Sequence, residues 1–174
     1  LTRNGEVGLV NPYGVLFGRD GRVDVGALVA STLNIGNDDW RAARMRFAAA
    51  AGDPGAAVVN QGELRTVNGG RLLLVAGSGG VRNEGLMAAP DGQAALAAGS
   101  SVELVDSALP NIAVRVSAPQ GEVLNLGRIA VGGGRVDLAA AMVNQRGTVQ
   151  ADAIAGSGGS AGQIELRASE RTTL

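Results

Sequence analysis

Apolar and polar residues along most of the chain alternate in short runs, at strand period rather than helix period. Val7 and Leu9 share one side of a first strand, Asn4 to Val10. Val15, Leu16 and Phe17 make a short apolar second strand. Val23 and Val25 alternate with Arg22, Asp24 and Gly26, and a further strand runs from Leu28 to Ile35. Later, Ile112, Val114 and Val116 oppose Ala113 and Arg115, while Val136 and Leu138 oppose Arg135 and Asp137. Ile164 and Leu166 likewise oppose Gln163, Glu165 and Arg167. Such alternation predicts strands with one buried face. Glycine-dependent corners join the first ones. At Asn11-Pro12-Tyr13-Gly14, Pro12 sets φ and Gly14 admits positive φ; Gly18 to Gly21 is the next corner. One stretch departs from this pattern. Between Asn37 and Ala51, Trp40, Ala43, Arg44 and Phe47 recur at helical spacing, Asn37 or Asp38 offers a cap, and Gly52-Asp53-Pro54-Gly55 stops the run. A short helix or irregular excursion is expected near residues 38–50, covering one side of the strands with Trp40 and Phe47.

From Val58 onward the chain repeats. An Asn-x-Gly corner occurs at Asn60-Gln61-Gly62, Asn83-Glu84-Gly85 and Asn125-Leu126-Gly127, with a looser version at Asn144-Gln145-Arg146-Gly147. The asparagines lie 23, 42 and 19 residues apart. The middle interval reads as two periods with one corner altered. Gly70, Gly92 and Gly134 mark a second corner after the first three asparagines, and Gly162 a delayed one, displaced by an insert at Gly156 to Ala161. One-sided burial with a period near 21 residues describes one coil of a parallel β-solenoid. The leucine-rich-repeat frame of similar period is absent. Equivalent residues of stacked coils lie about 4.8 Å apart. Asn60, Asn83, Asn125 and Asn144 are therefore expected to form an amide ladder. Gly62, Gly85 and Gly127 beside them would supply left-handed bends. Five or six coils are expected after Val58.

The run Asn11 to Ile35, NPYGVLFGRDGRVDVGALVASTLNI, resembles the secretion domain of two-partner secretion exoproteins, the filamentous haemagglutinin family. The likeness extends over 25 residues, far more than a short pattern. It implies an all-β fold, a right-handed parallel β-helix. An Asn-Pro-Asn-Gly turn is a hallmark of that family; here Tyr13 replaces the second asparagine. The resemblance implies that the turn Asn11, Pro12, Tyr13 and Gly14 serves both folding and recognition by an outer-membrane partner transporter with periplasmic domains. It further implies that residues 1–57 are the latter part of the secretion domain and that 58–174 are β-helical repeats continuing the same solenoid. The chain starts without Met, and residues 167–174 show no cap. It is thus expected to be a fragment, with a signal peptide and an earlier Asn-Pro-Asn-Leu motif upstream of Leu1.

Composition narrows the chemistry. Apolar residues make up 45% of the chain but aromatic ones only 2%, so a core must be built from Ala, Val, Leu and Ile. Gly numbers 28 without a triplet period, which excludes collagen and suits closely stacked backbones. The net charge of −1 draws the chain to neither nucleic acid nor anionic lipid. All basic residues are Arg, as expected of a GC-rich source. With no Cys and no His, disulfides, thiolate chemistry and imidazole bases are unavailable. The absence of cross-links is compatible with crossing a membrane unfolded. No apolar run reaches the roughly 18 residues of a membrane helix.

Candidate sites are few. Gly156 to Ala161 matches a dinucleotide-binding pattern, but a strand follows where a helix is required. Asp24, Asp137 and Glu165 lie on outward strand positions and could align as a glycosidase-like pair; a solvated face carries the same residues and is the preferred reading. Arg41, Arg44 and Arg46 read as a solvated helix face rather than a nucleic-acid patch. No cofactor or metal site is expected, and no catalysis. The expectation is a segment of a large secreted or surface-exposed Gram-negative bacterial adhesin, exported by its transporter and able to meet host-cell or bacterial surface receptors. The alternatives are the stalk of a contact-dependent growth inhibition toxin and a polysaccharide-acting β-helix enzyme.

Overall fold

A computed structural model describes residues 2–42, 44–106, 112–152 and 162–174. β1 (Thr2–Val10) is the lowest level, and β2 (Val15–Phe17) and β3 (Arg22–Ser31) wind the first full coil on it. There the Ser31 hydroxyl bonds both the N–H and the C=O of Leu33, each at 2.9 Å, and a detour begins. It holds β4 (Asn34–Ile35), α1 (Asn37–Arg41) and β5 (Met45–Ala48). β6 (Val58–Asn60) and β7 (Glu63–Ala76) form the second coil. β8 (Val81–Asn83), β9 (Leu86–Ala88) and the first half of β10 (Gln93–Asp106) form the third. The rest of β10 and β11 (Ile112–Pro119) pair as an antiparallel hairpin. β12 (Glu122–Asn125), β13 (Arg128–Ala130), β14 (Arg135–Gln145), β15 (Thr148–Gln150) and β16 (Gln163–Thr173) complete the stack.

Three columns of parallel strands result. The first side stacks β2, β6, β8, β12 and the end of β14. The second stacks the start of β3, then the start of β7, β9, β13 and β15. The third stacks β1, β3, β7, β10, β14 and β16. The fold is all-β, a parallel β-helix, as the resemblance implies. The first and second coils stack directly, so the expected boundary at 57/58 falls inside one continuous pile.

Two expectations about the repeat are corrected. The 42-residue interval is a single coil, because Asn125 stands in register with Asn83; the extra length is the β10–β11 hairpin, thrown out of the stack before β12. Val114 and Val116 therefore alternate on an antiparallel strand outside the helix, and the described stack from Val58 onward has four coils, not five or six.

Burial is also not one-sided throughout. Leu28, Leu64, Leu72, Leu74, Met87, Leu96, Ile129 and Leu138 fill the bore, each fully buried aliphatic contributing about 1.5–3 kcal/mol. On the third side the outward residues Val29, Leu73, Val75, Ala95 and Ala97 are buried as well. They lie beneath a small antiparallel sheet, β4–β5–β10–β11, that presses Leu33, Phe47, Val102 and Val114 onto them. A strand covered on both faces drops the alternation and reads as a continuous apolar run, as at Leu72 to Ala76.

The excursion near residues 38–50 is present, with different contents. α1 is a single turn capped by the backbone of Gly36, not by the Asn37 or Asp38 side chain. Phe47 is buried on β5, a strand, while Trp40 is half exposed and lies across Gly8 of β1. Ala43 lies outside the described residues. Arg41, Arg44 and Arg46 do not share a helix face: they pair with Asp38, Asp39 and Glu103 respectively.

Candidate functional site

The corner between the first and second sides carries a buried column of amides. Asn60 Nδ2 donates to Asn83 Oδ1 at 2.8 Å, Asn83 Nδ2 to Asn125 Oδ1 at 2.7 Å, and Asn125 Nδ2 to Gln145 Oε1 at 2.9 Å. Asn60, Asn83 and Asn125 are fully buried. Each donor points toward the C-terminal end. The column closes where Gln145 Nε2 turns back onto the carbonyl of Gly147. Phe17 occupies the same level in the first coil, where no amide stands. Asn144 is not a rung. It pairs in register with Leu124, lies on the outer surface, and donates to Glu122 Oε1 at 3.3 Å. The rung is Gln145, and the signal for it is the glycine two residues on. Asn60/Gly62, Asn83/Gly85, Asn125/Gly127 and Gln145/Gly147 keep that spacing.

The glycines of this column serve a different purpose from the one expected. None of Gly62, Gly85, Gly127 and Gly147 has positive φ. A Cβ on Gly85 would instead collide with the carbonyl oxygen of Gly62 in the coil beneath, and Gly127 and Gly147 repeat the relation. The requirement is close approach of two backbones.

The turn Asn11 to Gly14 leads from β1 into the first full coil. The Gly14 N–H donates to the Asn11 carbonyl at 3.1 Å, and the Tyr13 N–H to Asn11 Oδ1 at 3.1 Å, while Gly14 takes φ +117°. Asn11 N–H bonds Ser31 O at 2.9 Å and Val15 N–H bonds Ala57 O at 3.2 Å, which anchor the turn to neighbouring strands. The Tyr13 side chain contributes nothing to this geometry. It is 83% exposed, beside a groove of about 200 Å³ walled by Pro12, Asn34 and the return loop at Ala50 to Pro54. Leu16, three residues on, is 67% exposed.

Of the three carboxylates, Asp137 and Glu165 stand in register on adjacent levels, and Asp24 does not join them. Asp24 is on the second side in the first coil, far along the stack from Asp137 and Glu165. Asp137, expected on a solvated face, is instead buried, 1% exposed. Arg135 grips it with Nε and Nη2 at 2.8 Å, and Gln93 Nε2 donates to it at 3.0 Å. Arg135 also bridges to Glu165, which pairs in turn with Arg167 at 3.3 Å. The hydrogen bond to Asp137 raises the pKa of Arg135 above its ordinary value. The network pairs a buried carboxylate with a cation and gives each of its oxygens a hydrogen-bond partner. Among the described residues no cluster of His, Cys, Asp or Glu could hold a metal ion, and no helix is long and apolar enough to cross a membrane. The glycine-rich stretch Gly156 to Ala161 lies outside the described residues.

With this geometry in hand, two likenesses stand out. A family model described as the TPS secretion domain matches residues 1–173. Among solved structures, the HMW1 secretion domain from Haemophilus influenzae matches with a TM-score of 0.84 and 28% sequence identity, over 98% of this chain and 45% of that one. The chain thus spans less than half of that solved chain. No curated protein matches.

Proposed function

This chain belongs to the TPS secretion domain family, and we propose that it directs a large exoprotein to its own outer-membrane transporter and starts the folding of that exoprotein outside the cell. Exoproteins with this domain are secreted across the Gram-negative outer membrane. The observation that carries the reading is the match over residues 1–173 on a chain whose described carboxylates are locked or scattered, which suits an export and scaffold role. The turn Asn11, Pro12, Tyr13 and Gly14 is read as part of what the transporter's periplasmic domains recognise. Its backbone is fixed by Asn11, so Tyr13 is displayed without cost to the fold. The exoprotein is read as an adhesin, held at the surface or released.

The fold supplies a driving force for export. Each coil that emerges can bury its aliphatics against the previous coil and add a rung to the amide column, without ATP. Backward sliding then requires undoing a stacked coil. Co-expression of the full exoprotein with its transporter tests the reading. Surface and supernatant exoprotein is expected with the transporter, and periplasmic retention and proteolysis without it. A Leu74→Asp variant is expected to slow appearance outside the cell. Equal export with and without the transporter would overturn the proposal.

A further inference from the structure

The antiparallel sheet over the third side is fastened unevenly. Its order is β4–β5–β10–β11. β5 and β10 press Phe47 and Val102 into the buried cluster over the earlier coils. β11 is the outermost strand, and among the described residues it pairs with β10 alone. On its far side the packing is open. A gap of about 240 Å³ lies between Val116 and Pro119 on the hairpin and Ala139, Ala168 and Ser169 on β14 and β16. Those last three side chains are small and fill little of it.

Arg167 crosses this gap from β16. Its Nη2 donates to the Val114 carbonyl at 2.7 Å, a contact between residues 53 apart in sequence. In an antiparallel ladder the N–H and C=O of one residue point the same way and alternate along the strand. The Val114 carbonyl thus points away from β10, while the backbone of Arg115 and Ser117 faces it. Val114 is 1% exposed, so water does not readily replace the guanidinium donor. The guanidinium is itself held in place. It lies 3.3 Å from Glu165 and 3.8 Å from Asp137, which Arg135 and Gln93 grip in turn. Polar contacts therefore run from β10 through β14 and β16 and back to the hairpin.

We propose that Arg167 is a strap that holds the β10–β11 hairpin down on the stack, and that the hairpin opens as a unit when the strap lets go. The hairpin is local in sequence and can form once Pro119 is made, whereas Arg167 arrives with β16. The cover over Val75, Ala95 and Ala97 is closed in two stages, first by cross-strand pairing and last by the strap. Without the strap, the Val114 carbonyl regains a partner by lifting of β11 into water. A unit of this kind opens at lower free energy than the stack beneath it.

Hydrogen exchange of the full chain, followed amide by amide, tests this. The amides of Arg115 and Ser117 are expected to exchange well ahead of those of Leu74 and Leu96 in the stack. Arg167→Ala is expected to speed Arg115 and Ser117 by about threefold to tenfold, the effect of one hydrogen bond. Arg167→Met keeps the stem across the gap without the donor, and is expected to match it. Both variants are expected to fold, because the Arg167 side chain is 46% exposed. Exchange of Arg115 in step with Leu74 in the unaltered chain would overturn the separate opening. Unchanged exchange at Arg115 and Ser117 in Arg167→Ala would overturn the strap. Slow exchange kept in Arg167→Met but lost in Arg167→Ala would assign the hold to apolar packing and overturn it too.

Discussion

Replacing Asn83 by Ala removes the middle rung of the amide column. Two side-chain hydrogen bonds are lost, one from Asn60 at 2.8 Å and one to Asn125 at 2.7 Å. Both neighbours are fully buried, so a donor on one side and an acceptor on the other lose their partner where water does not reach. Each lost bond that orphans a buried group costs about 1.5–2.5 kcal/mol, bond and desolvation together. Asn60 Nδ2 keeps only a long 3.4 Å contact to the Leu86 carbonyl, so little is recovered. The expected loss is about 3–5 kcal/mol, a large share of the roughly 5–15 kcal/mol of a folded domain. At this chain length that lowers the melting temperature by about 10 °C or more. Gln145→Ala is the internal reference. Gln145 is only partly buried and its truncation orphans one buried group, Asn125 Nδ2, rather than two, so about half the loss, roughly 2 kcal/mol and about 4–8 °C, is expected. Thermal melts followed by circular dichroism at strand wavelengths would measure both. Equal shifts for the two variants would refute the argument that buried pairing holds the column. So would strict additivity of Asn60→Ala with Asn83→Ala, because the second truncation removes a partner already orphaned.

Gly85→Ala is expected to cost more than about 3 kcal/mol, since its methyl meets the Gly62 backbone and neither coil can yield; Gly5→Ala, with open space around it, should leave the melt unchanged. Phe47→Ala empties the seat between β5 and the third side, and about 3–5 kcal/mol should appear in denaturant unfolding. Tyr13→Asn is expected to leave stability unaltered, whereas Asn11→Ala should cost about 1 kcal/mol by releasing the Tyr13 N–H. Arg135 has a pKa raised chiefly by its hydrogen bond to Asp137. A cation whose folded pKa exceeds its unfolded one contributes fully below the unfolded value and fades only as pH rises through the folded one. The stability lost in Arg135→Gln should therefore be the same at about pH 7 and about pH 10, as comparative melts at the two values would show.

The three-sided stack was legible because its signals are local. Asn60, Asn83 and Asn125 each sit two residues before a glycine, and the valines alternate where only one face is covered. What escaped was non-local. Nothing near Ala98 announces that the chain leaves the stack and returns at Glu122, so the 42-residue gap looked like two coils. The covering sheet was equally hidden, although Leu72 to Ala76 carried its trace: five apolar residues in a row have no solvent face. Trp40 and Phe47 are spaced as on a helix, yet Phe47 belongs to a strand, because pairing with β10 outweighs a five-residue helical propensity. Asp137 looked like surface because its position is outward; it is buried because Arg135 and Gln93 close over it. Asn144 drew attention by residue type, whereas position relative to Gly147 decides.

The hairpin after Ala98 has a practical corollary. Twenty-odd residues leave the stack and come back, and Asn125 still lands on Asn83. The neighbouring coils make the same corner within a few residues, at Gly77 to Gly80 and at Ala141. That corner is an interchangeable socket: foreign loops grafted there would ride on the spindle without disturbing its thread, so long as both ends of the graft meet at one level.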